Sequence, residues 1–212
     1  NRDQDPEEEE SPVQLEVYDA AGNLVRSLDA ETARGLNRVV WDLRYDSLPK
    51  AADVEREPDP ARADQDDRRD RFGNATAGPL VVPGTYSVRL TVGEDATLET
   101  TVEVSEDQRL RVSADVRAAW TEVQRQLGRM YVEANETVAA VIEREQGLEK
   151  GTDERAETQL LREELTELRT RVLGVRRGIA SWVGEPTADQ RSTIAFCRSA
   201  MAELAARWEA MR

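Results

Sequence analysis

The sequence contains no histidine, a single cysteine and only two lysines among its 212 residues. The absence of histidine excludes a histidine-containing catalytic triad, a histidine general base and a histidine metal site within this chain. One cysteine cannot form an internal disulfide or a zinc site built from several thiolates. No apolar run approaches the ~20 residues that span a bilayer. We therefore expect no metal, no cofactor and no membrane insertion.

Basic residues are also scarce relative to acidic ones. The 29 Lys and Arg residues stand against 43 Asp and Glu residues, which gives a formal net charge of −14. Such a charge opposes any broad electrostatic contact with nucleic acid or with an anionic membrane, so no nucleic-acid partner is expected. The chain opens on Asn1 without a signal peptide, and we expect it to be a piece of a longer protein.

Residues 1–11 are polar and mostly acidic, which predicts a disordered tail. From Pro12 onward, apolar residues alternate with polar ones. This period of two predicts short strands near 13–18, 24–28, 38–45, 86–92 and 98–104, with the first pair and the last pair forming hairpins. In the 38–45 strand, Val39, Trp41, Leu43 and Tyr45 are expected to share one face.

A long polar stretch at 46–78 interrupts this pattern. It has repeated aspartates and few large apolar groups, and strand character resumes after it. A structureless loop of this length is unusual inside a compact domain, so the stretch is either an insertion between strands or a domain boundary. Because strand character resumes after it, we interpret it as an insertion.

A helical period replaces the strand period after Asp107. It predicts helices at about 113–147, 152–183 and 187–211. Thr187 and Gln190 stand at the spacing of a capping box. Each helix has one apolar seam; the seams comprise Val116, Trp120, Val123, Leu127, Met130, Ala134, Val138 and Val141, then Leu161, Leu165, Leu168, Val172, Val175, Ile179 and Trp182, then Ile194, Cys197, Met201, Leu204, Trp208 and Met211.

Together these patterns predict an α+β chain in two segments. An immunoglobulin-like antiparallel β-sandwich is expected at 12–107, and an antiparallel three-helix bundle at 108–212.

Three strand segments carry a family resemblance. They are VYDAAGNLVRSL at 17–28, GLNRVVWDLRY at 35–45 and PGTYSVRLTV at 83–92. They resemble the immunoglobulin-like domain of flagellar hook-capping proteins. They are still more similar to the C-terminal region of secreted bacterial proteins that carry an N-terminal sortilin-like, BNR-repeat β-propeller. In that family a helical segment follows the sandwich, and PTADQ at 186–190 is similar to its helix start. The chain departs from the family at 107–109, where it has Asp-Gln-Arg in place of Asp-Pro-Arg.

The resemblance implies that residues 1–212 have no enzymatic activity of their own. Members are often labelled glycosyl hydrolases because of their propeller, and residues 1–212 include no propeller. The resemblance thus implies an exported protein (periplasmic, cell-surface or secreted). It also implies that any hydrolase activity belongs to an N-terminal propeller.

Two clusters of residues are distinctive in the strand region. Trp41, Asp42 and Arg44 are either a core tryptophan with cross-strand charged partners or an exposed ligand site. Pro83, Gly84 and Tyr86 are either a binding loop or a turn followed by an anchoring tyrosine. The structural interpretation is preferred for both clusters.

Other candidates for chemistry are weaker. The acidic stretch at 59–70 lacks the glycine and terminal glutamate of an EF-hand loop, so it is interpreted as solvated loop. Cys197 falls on a helical seam and is expected to be a buried, inert thiol. Asn74 and Asn135 each begin a glycosylation sequon, which is weak information. No pair of carboxylates has the apolar setting that a glycosidase needs.

These observations lead to one functional hypothesis and two alternatives. The chain is predicted to be a non-enzymatic accessory region that positions a propeller or contacts another protein. It could instead be a carbohydrate- or surface-binding module. An outward-facing Trp41 or Tyr18 beside a groove would favour this alternative. It could also be an assembly domain that acts through its helices, leaving the oligomeric state open.

Overall fold

The computed structural model describes residues 13–30, 35–52, 76–93, 96–109 and 112–212. The predictions for the tail at 1–11 and for the acidic stretch at 59–70 lie outside these ranges, as does Asn74. The described chain divides into two compact units. The sheet unit holds the described residues up to Asp46 together with 80–109, and the helical unit holds 47–52, 76–79 and 112–212.

The sheet unit contains a four-stranded antiparallel sheet. Its strands are β1 (Val13–Tyr18), β2 (Leu24–Asp29), β3 (Gly84–Val92) and β4 (Ala96–Val104), in the order β2-β1-β3-β4. The two predicted hairpins are confirmed, because β1 pairs with β2 and β3 pairs with β4, both antiparallel. Three helices follow the sheet along the chain, which confirms the α+β class.

The turn between β1 and β2 is built by its sequence. Gly22 has a φ of 80°, a left-handed conformation that glycine adopts without a steric penalty. One carboxylate oxygen of Asp19 accepts hydrogen bonds from the amides of Ala21 and Asn23, at 2.9 Å each. This Asx-type turn fixes the hairpin register.

The core of the sheet unit lies on one face of the sheet. Each of the four strands contributes one buried member, and the residue after the isolated bridge at Leu80 contributes a fifth; they are Val17, Val25, Tyr86, Val104 and Val81. Trp41 and Tyr45 are partly buried against this cluster, with the Trp41 and Tyr86 rings in an edge-on contact at 5.4 Å between centroids. Residues 38–45 therefore contribute to the core without joining the sheet.

The prediction of a strand over 38–45 is wrong. The segment makes only an isolated bridge, between Arg44 and Leu80. Leu43 has a φ of 59°, which breaks the extended conformation, and its side chain is exposed and does not share the face of Trp41. An Asp42 carboxylate oxygen accepts from the amide of Arg44 at 3.2 Å, a local turn that competes with strand pairing.

The helical unit contains α1 (Ala114–Gly147), α2 (Asp153–Ala180) and α3 (Ala188–Met211). The apolar seams of the sequence form most of its buried residues, with Leu127, Leu165 and Cys197 fully inaccessible. Trp182 is an exception, because α2 ends before it and its side chain is 80% exposed. The prediction that Trp182 belongs to the seam is therefore wrong.

Successive helices run antiparallel, as their contacts show. At one end of the α1–α2 pair, Arg144 forms an ion pair with Glu154 at 2.6 Å. At the other end, the Trp120 indole N–H donates to the carbonyl of Ile179 at 2.9 Å. The α2–α3 pair is likewise bridged by Arg207 and Glu164. Arg155 also caps α1, because its guanidinium donates to the carbonyls of Glu145 and Leu148.

The described ends of the predicted insertion, 47–52 and 76–78, group with the helices, whereas Asp46 belongs to the sheet unit. The amide of Leu48 donates to the carbonyl of Thr76 at 2.7 Å, so the two ends lie side by side. The chain therefore passes between the two units three times: after Asp46, before Leu80 and between 109 and 112.

The start of α3 has a reciprocal capping box. The Thr187 hydroxyl accepts from the amide of Gln190 at 3.2 Å, and the Gln190 side chain accepts from the amide of Thr187 at 2.8 Å. Two amide donors at the helix start are thereby satisfied.

Replacing Thr187 by alanine is expected to lower the free energy of unfolding by about 1 kcal/mol, since the amide of Gln190 loses its acceptor. Equilibrium urea denaturation followed by helical circular dichroism measures the change. Thr193→Ala is the matched control within α3, because its hydroxyl only donates to the carbonyl of Asp189 one turn earlier, and it should change stability by less than about 0.5 kcal/mol. Equal effects of the two substitutions would contradict the capping role.

Candidate functional site

A set of polar side chains is buried in α1 and α2, where apolar residues are the norm. They are Arg117, Thr121, Gln124, Asn135, Thr158, Arg169 and Arg176. Buried arginines are rare unless they have partners, so each should be held by specific acceptors. Asn135, Arg169 and Arg176, together with the buried Tyr131, hold the ends of the insertion; we call these four residues the backbone clamp.

Asn135 is the centre of the backbone clamp. Its side-chain oxygen accepts from the amide of Ala52 at 2.7 Å, and its side-chain nitrogen donates to the carbonyl of Lys50 at 3.0 Å. Arg169 donates from one nitrogen to the carbonyl of Ala52 at 2.5 Å and to the Asn135 side-chain oxygen at 2.8 Å. A side-chain amide can both accept a hydrogen bond from a backbone amide and donate one to a backbone carbonyl, and Asn135 does both here.

The two other clamp residues each hold one carbonyl group. The Tyr131 hydroxyl donates to the carbonyl of Pro49 at 3.1 Å. Burial raises the pKa of this phenol, an effect that the nearby Arg169 opposes, so Tyr131 remains a donor at neutral pH. Arg176 donates to the carbonyl of Ala77 at 2.5 Å.

A glycine on α1 allows the insertion to approach the helix. A Cβ atom placed on Gly128 would lie 3.3 Å from a methyl carbon of Leu48, tighter than an ordinary contact. Gly128 is one turn before the clamp residue Tyr131 on the same helix. The absence of a side chain there thus lets Leu48 pack against α1.

The clamp recognises main-chain groups. It donates four hydrogen bonds to carbonyl oxygens of the insertion, at Pro49, Lys50, Ala52 and Ala77. It accepts one from the backbone amide of Ala52. These contacts do not depend on the side chains of the insertion. The arrangement orders a peptide segment and supplies neither a nucleophile nor a proton-transfer pair.

A groove of about 230 Å³ lies between α2 and α3. Its lining combines apolar and charged groups: Glu164, Glu167, Leu168, Arg171, Phe196, Ala200, Glu203, Leu204 and Arg207. The Arg171 guanidinium lies 4.9 Å from the Phe196 ring centroid and pairs with Glu167 at 2.8 Å. Both arginines of the groove are therefore paired with glutamates of α2, since Arg207 contacts Glu164.

The remaining reactive groups offer little chemistry. Cys197 is fully buried, and burial raises the pKa of its thiol, which disfavours the reactive thiolate. Within the described ranges, no group of three acidic or cysteine side chains is arranged to hold a metal ion. None of the described helices is both long enough and apolar enough to cross a bilayer.

The residues singled out in the strand region have local contacts. The Trp41 indole donates to the carbonyl of Arg44 at 3.0 Å. The amide of Arg44 in turn donates to the Asp42 side chain, so the three residues form one local turn. Pro83 precedes β3, Gly84 is its first residue, and the Tyr86 hydroxyl donates to the carbonyl of Val82 at 2.5 Å. The structure thus brings Trp41 and Tyr86 together in the core.

Tyr18 lies on the face of the sheet opposite to the buried Val17. Its hydroxyl donates to a Glu16 carboxylate oxygen at 2.7 Å, which raises the pKa of the phenol. The Arg89 guanidinium stacks 4.6 Å from its ring centroid. One face of the ring is thereby covered, which weakens the interpretation of Tyr18 as a sugar-binding platform.

The clamp was missed at the sequence level, although the sequence contains a signal for it. A second row on α1 has spacings of four and three, as the apolar seam does: Arg117, Thr121, Gln124, Gly128, Tyr131 and Asn135. Its polar composition conceals it from a search for apolar periodicity. Asn135 is not accessible as a glycosylation site in the folded chain. It is buried, and the side-chain nitrogen that would carry a glycan donates a hydrogen bond to the carbonyl of Lys50.

Comparison with known proteins finds no family model, no curated protein and no solved structure that matches the chain.

Proposed function

We propose that the chain is a non-catalytic accessory region of an exported β-propeller protein, where it positions the propeller or mediates contact with another protein. The observation that carries this proposal is the backbone clamp. Its buried polar groups, which in an enzyme are often reserved for substrate, are occupied here by the chain's own main chain at Lys50, Ala52 and Ala77.

The finer fold assignment is part of the same proposal. We assign the four-stranded sheet, with the core-forming segment 38–45, to an immunoglobulin-like sandwich and the three antiparallel helices to a bundle. Support comes from the strand motifs at 17–28, 35–45 and 83–92, which resemble the C-terminal regions of propeller-containing proteins.

Two measurements test the proposed function. The purified chain should not hydrolyse fluorogenic glycosides, sialosides included, above the rate in buffer; turnover at about 1 s⁻¹ or faster would show that it is an enzyme and overturn the proposal. The reading frame upstream of the Asn1 codon should encode propeller blades preceded by a signal peptide. A frame without blades would overturn the assignment to a propeller protein.

Assembly through the helices is a second candidate, favoured by the groove between α2 and α3. Leu160 and Phe196 are both more than half exposed on these helices. Exposed apolar residues beside a groove are typical of helix–helix contacts between subunits.

A further inference from the structure

Among the residues that the structure describes, no strand pairs with the outer side of β4, which is therefore an edge of the sheet. It is the last strand in the order β2-β1-β3-β4, and its nine residues pair in unbroken register with β3 on one side. Every residue of β4 except Val104 is exposed, including Leu98 at 67% and Val102 at 38%. Its outer row of backbone groups is therefore accessible along most of the strand.

The side chains of β4 divide into an apolar face and a charged face. The pairing places Leu98 opposite Leu90 and Val102 opposite Tyr86, so both lie on the face that bears the core. Glu99 and Glu103 lie on the other face, where Arg89 is 3.7 Å from Glu99.

Edges of natural sheets are usually protected against association. Short length, proline, lysine and bulges are the common devices. The sequence of β4, ATLETTVEV, contains neither proline nor lysine, and its pairing with β3 has no bulge. The two glutamates are the only charged residues of this strand.

The order of residues in β4 makes the strand complementary to itself. When two copies are placed antiparallel with a two-fold axis through Thr100, Leu98 of one copy faces Val102 of the other, and Ala96 faces Val104. On the charged face, Glu99 faces Thr101 and Glu103 faces Thr97. Apolar residues then meet apolar residues, and no glutamate lies directly opposite a glutamate.

Neighbouring registers lack this property. Moving the axis to Thr101 places Glu99 directly opposite Glu103 twice, and moving it to Glu99 places the two Glu99 side chains opposite each other. Directly opposed like charges destabilise a strand pair. The charge pattern thus disfavours these two registers. Axes at Leu98 or Val102 also avoid opposed glutamates, but they pair only five residues of β4, whereas the axis at Thr100 pairs all nine.

We propose that β4 is a self-association edge, which pairs antiparallel with β4 of a second copy of this chain about a two-fold axis at Thr100. The product is a continuous eight-stranded sheet with an isologous interface, since each four-stranded sheet contributes the same edge. This assembly route is independent of the helices.

Sedimentation equilibrium tests whether the association occurs through this edge. The mass of the wild-type chain should rise with concentration towards twice that of one chain. The double variant Leu98→Lys, Val102→Lys should remain monomeric, with an unchanged circular dichroism spectrum because both positions are exposed. Leu160→Lys on α2, with 51% of the side chain exposed, is the matched control and should behave as wild type.

Two outcomes of sedimentation would overturn the proposal. One is a wild-type chain that stays monomeric at every concentration. The other is a dimer that Leu160→Lys abolishes and the β4 double variant retains, which would place assembly in the helices.

Disulfide trapping tests the register separately. In the proposed pairing the two Thr100 Cα atoms lie about 4.5–5.5 Å apart, within the range of a disulfide, so Thr100→Cys should cross-link on mild oxidation. Thr97→Cys is the control, since the two copies of this residue lie six residues apart along the pair and should not cross-link. The native Cys197 is buried and does not interfere. Equal cross-linking of both variants, or of neither, would overturn the register.

Discussion

Replacing Asn135 by alanine should lower the free energy of unfolding of the helical unit by about 2–4 kcal/mol. The substitution removes the acceptor of the Ala52 amide and the donor to the Lys50 carbonyl, and it removes an acceptor of Arg169. The cost is large because these groups are at least partly buried and are left without the partners that they have in the native protein. Urea denaturation, followed by helical circular dichroism, measures it.

Asn135→Asp provides the matched control. An aspartate keeps the acceptor for Ala52 and adds a charge beside Arg169, but it loses the donor to Lys50. It should therefore be less destabilising than alanine. Hydrogen exchange at the Ala52 amide gives a local measure and should accelerate in the alanine variant well beyond the change at amides of α3. If the alanine and aspartate variants were equally stable, and if exchange at Ala52 were unchanged, the clamp would have no structural importance.

Replacing Leu165 by alanine should cost about 2–5 kcal/mol. The side chain is fully inaccessible within α2, so its truncation leaves a cavity as well as losing apolar contact with the neighbouring helices. Leu160→Ala is the matched control, since it makes the same chemical change on the same helix at a side chain that is 51% exposed, and it should cost less than about 1 kcal/mol. Chemical denaturation of the two variants should separate them clearly. Equal losses would mean that the buried face of α2 has been misplaced.

The helices and two hairpins could be predicted because their residues follow a simple period. Spacings of three and four placed Leu127, Leu165 and Cys197 on buried faces, and all three are inaccessible. The alternation in 13–18 and 86–92 likewise placed Val17 and Tyr86 in the core. These elements satisfy their backbone hydrogen bonds with regular neighbours, so local pattern and tertiary structure agree.

The 38–45 segment shows where alternation is insufficient. Its apolar residues alternate as in a strand, but Asp42 bonds to the amide of Arg44 and Leu43 takes a left-handed conformation. A strand also needs a neighbour with free backbone groups, and periodicity along one segment does not report whether a neighbour exists. Similarly, Trp182 continues the seam spacing of α2 but follows the end of the helix.

The clamp could not be predicted for a different reason. Its contacts join Asn135 to Lys50 and Arg169 to Ala52, residues that are 85 and 117 positions apart. Polar side chains such as these normally face solvent, so in the sequence they have the appearance of a solvated helix face. Only the position of the insertion ends reveals that this face of α1 and α2 is covered.

Because the chain passes repeatedly between the units, genetic recombination cannot easily exchange one unit without the other. A genetic exchange that moves only residues 112–212 transfers the arginines of α2 without Ala52 and Ala77, whose carbonyls they bind. An exchange of the sheet unit alone must either carry 47–79 along or cut the chain in two places. Neither unit is therefore a portable module, and successful recombination should preserve the pair together.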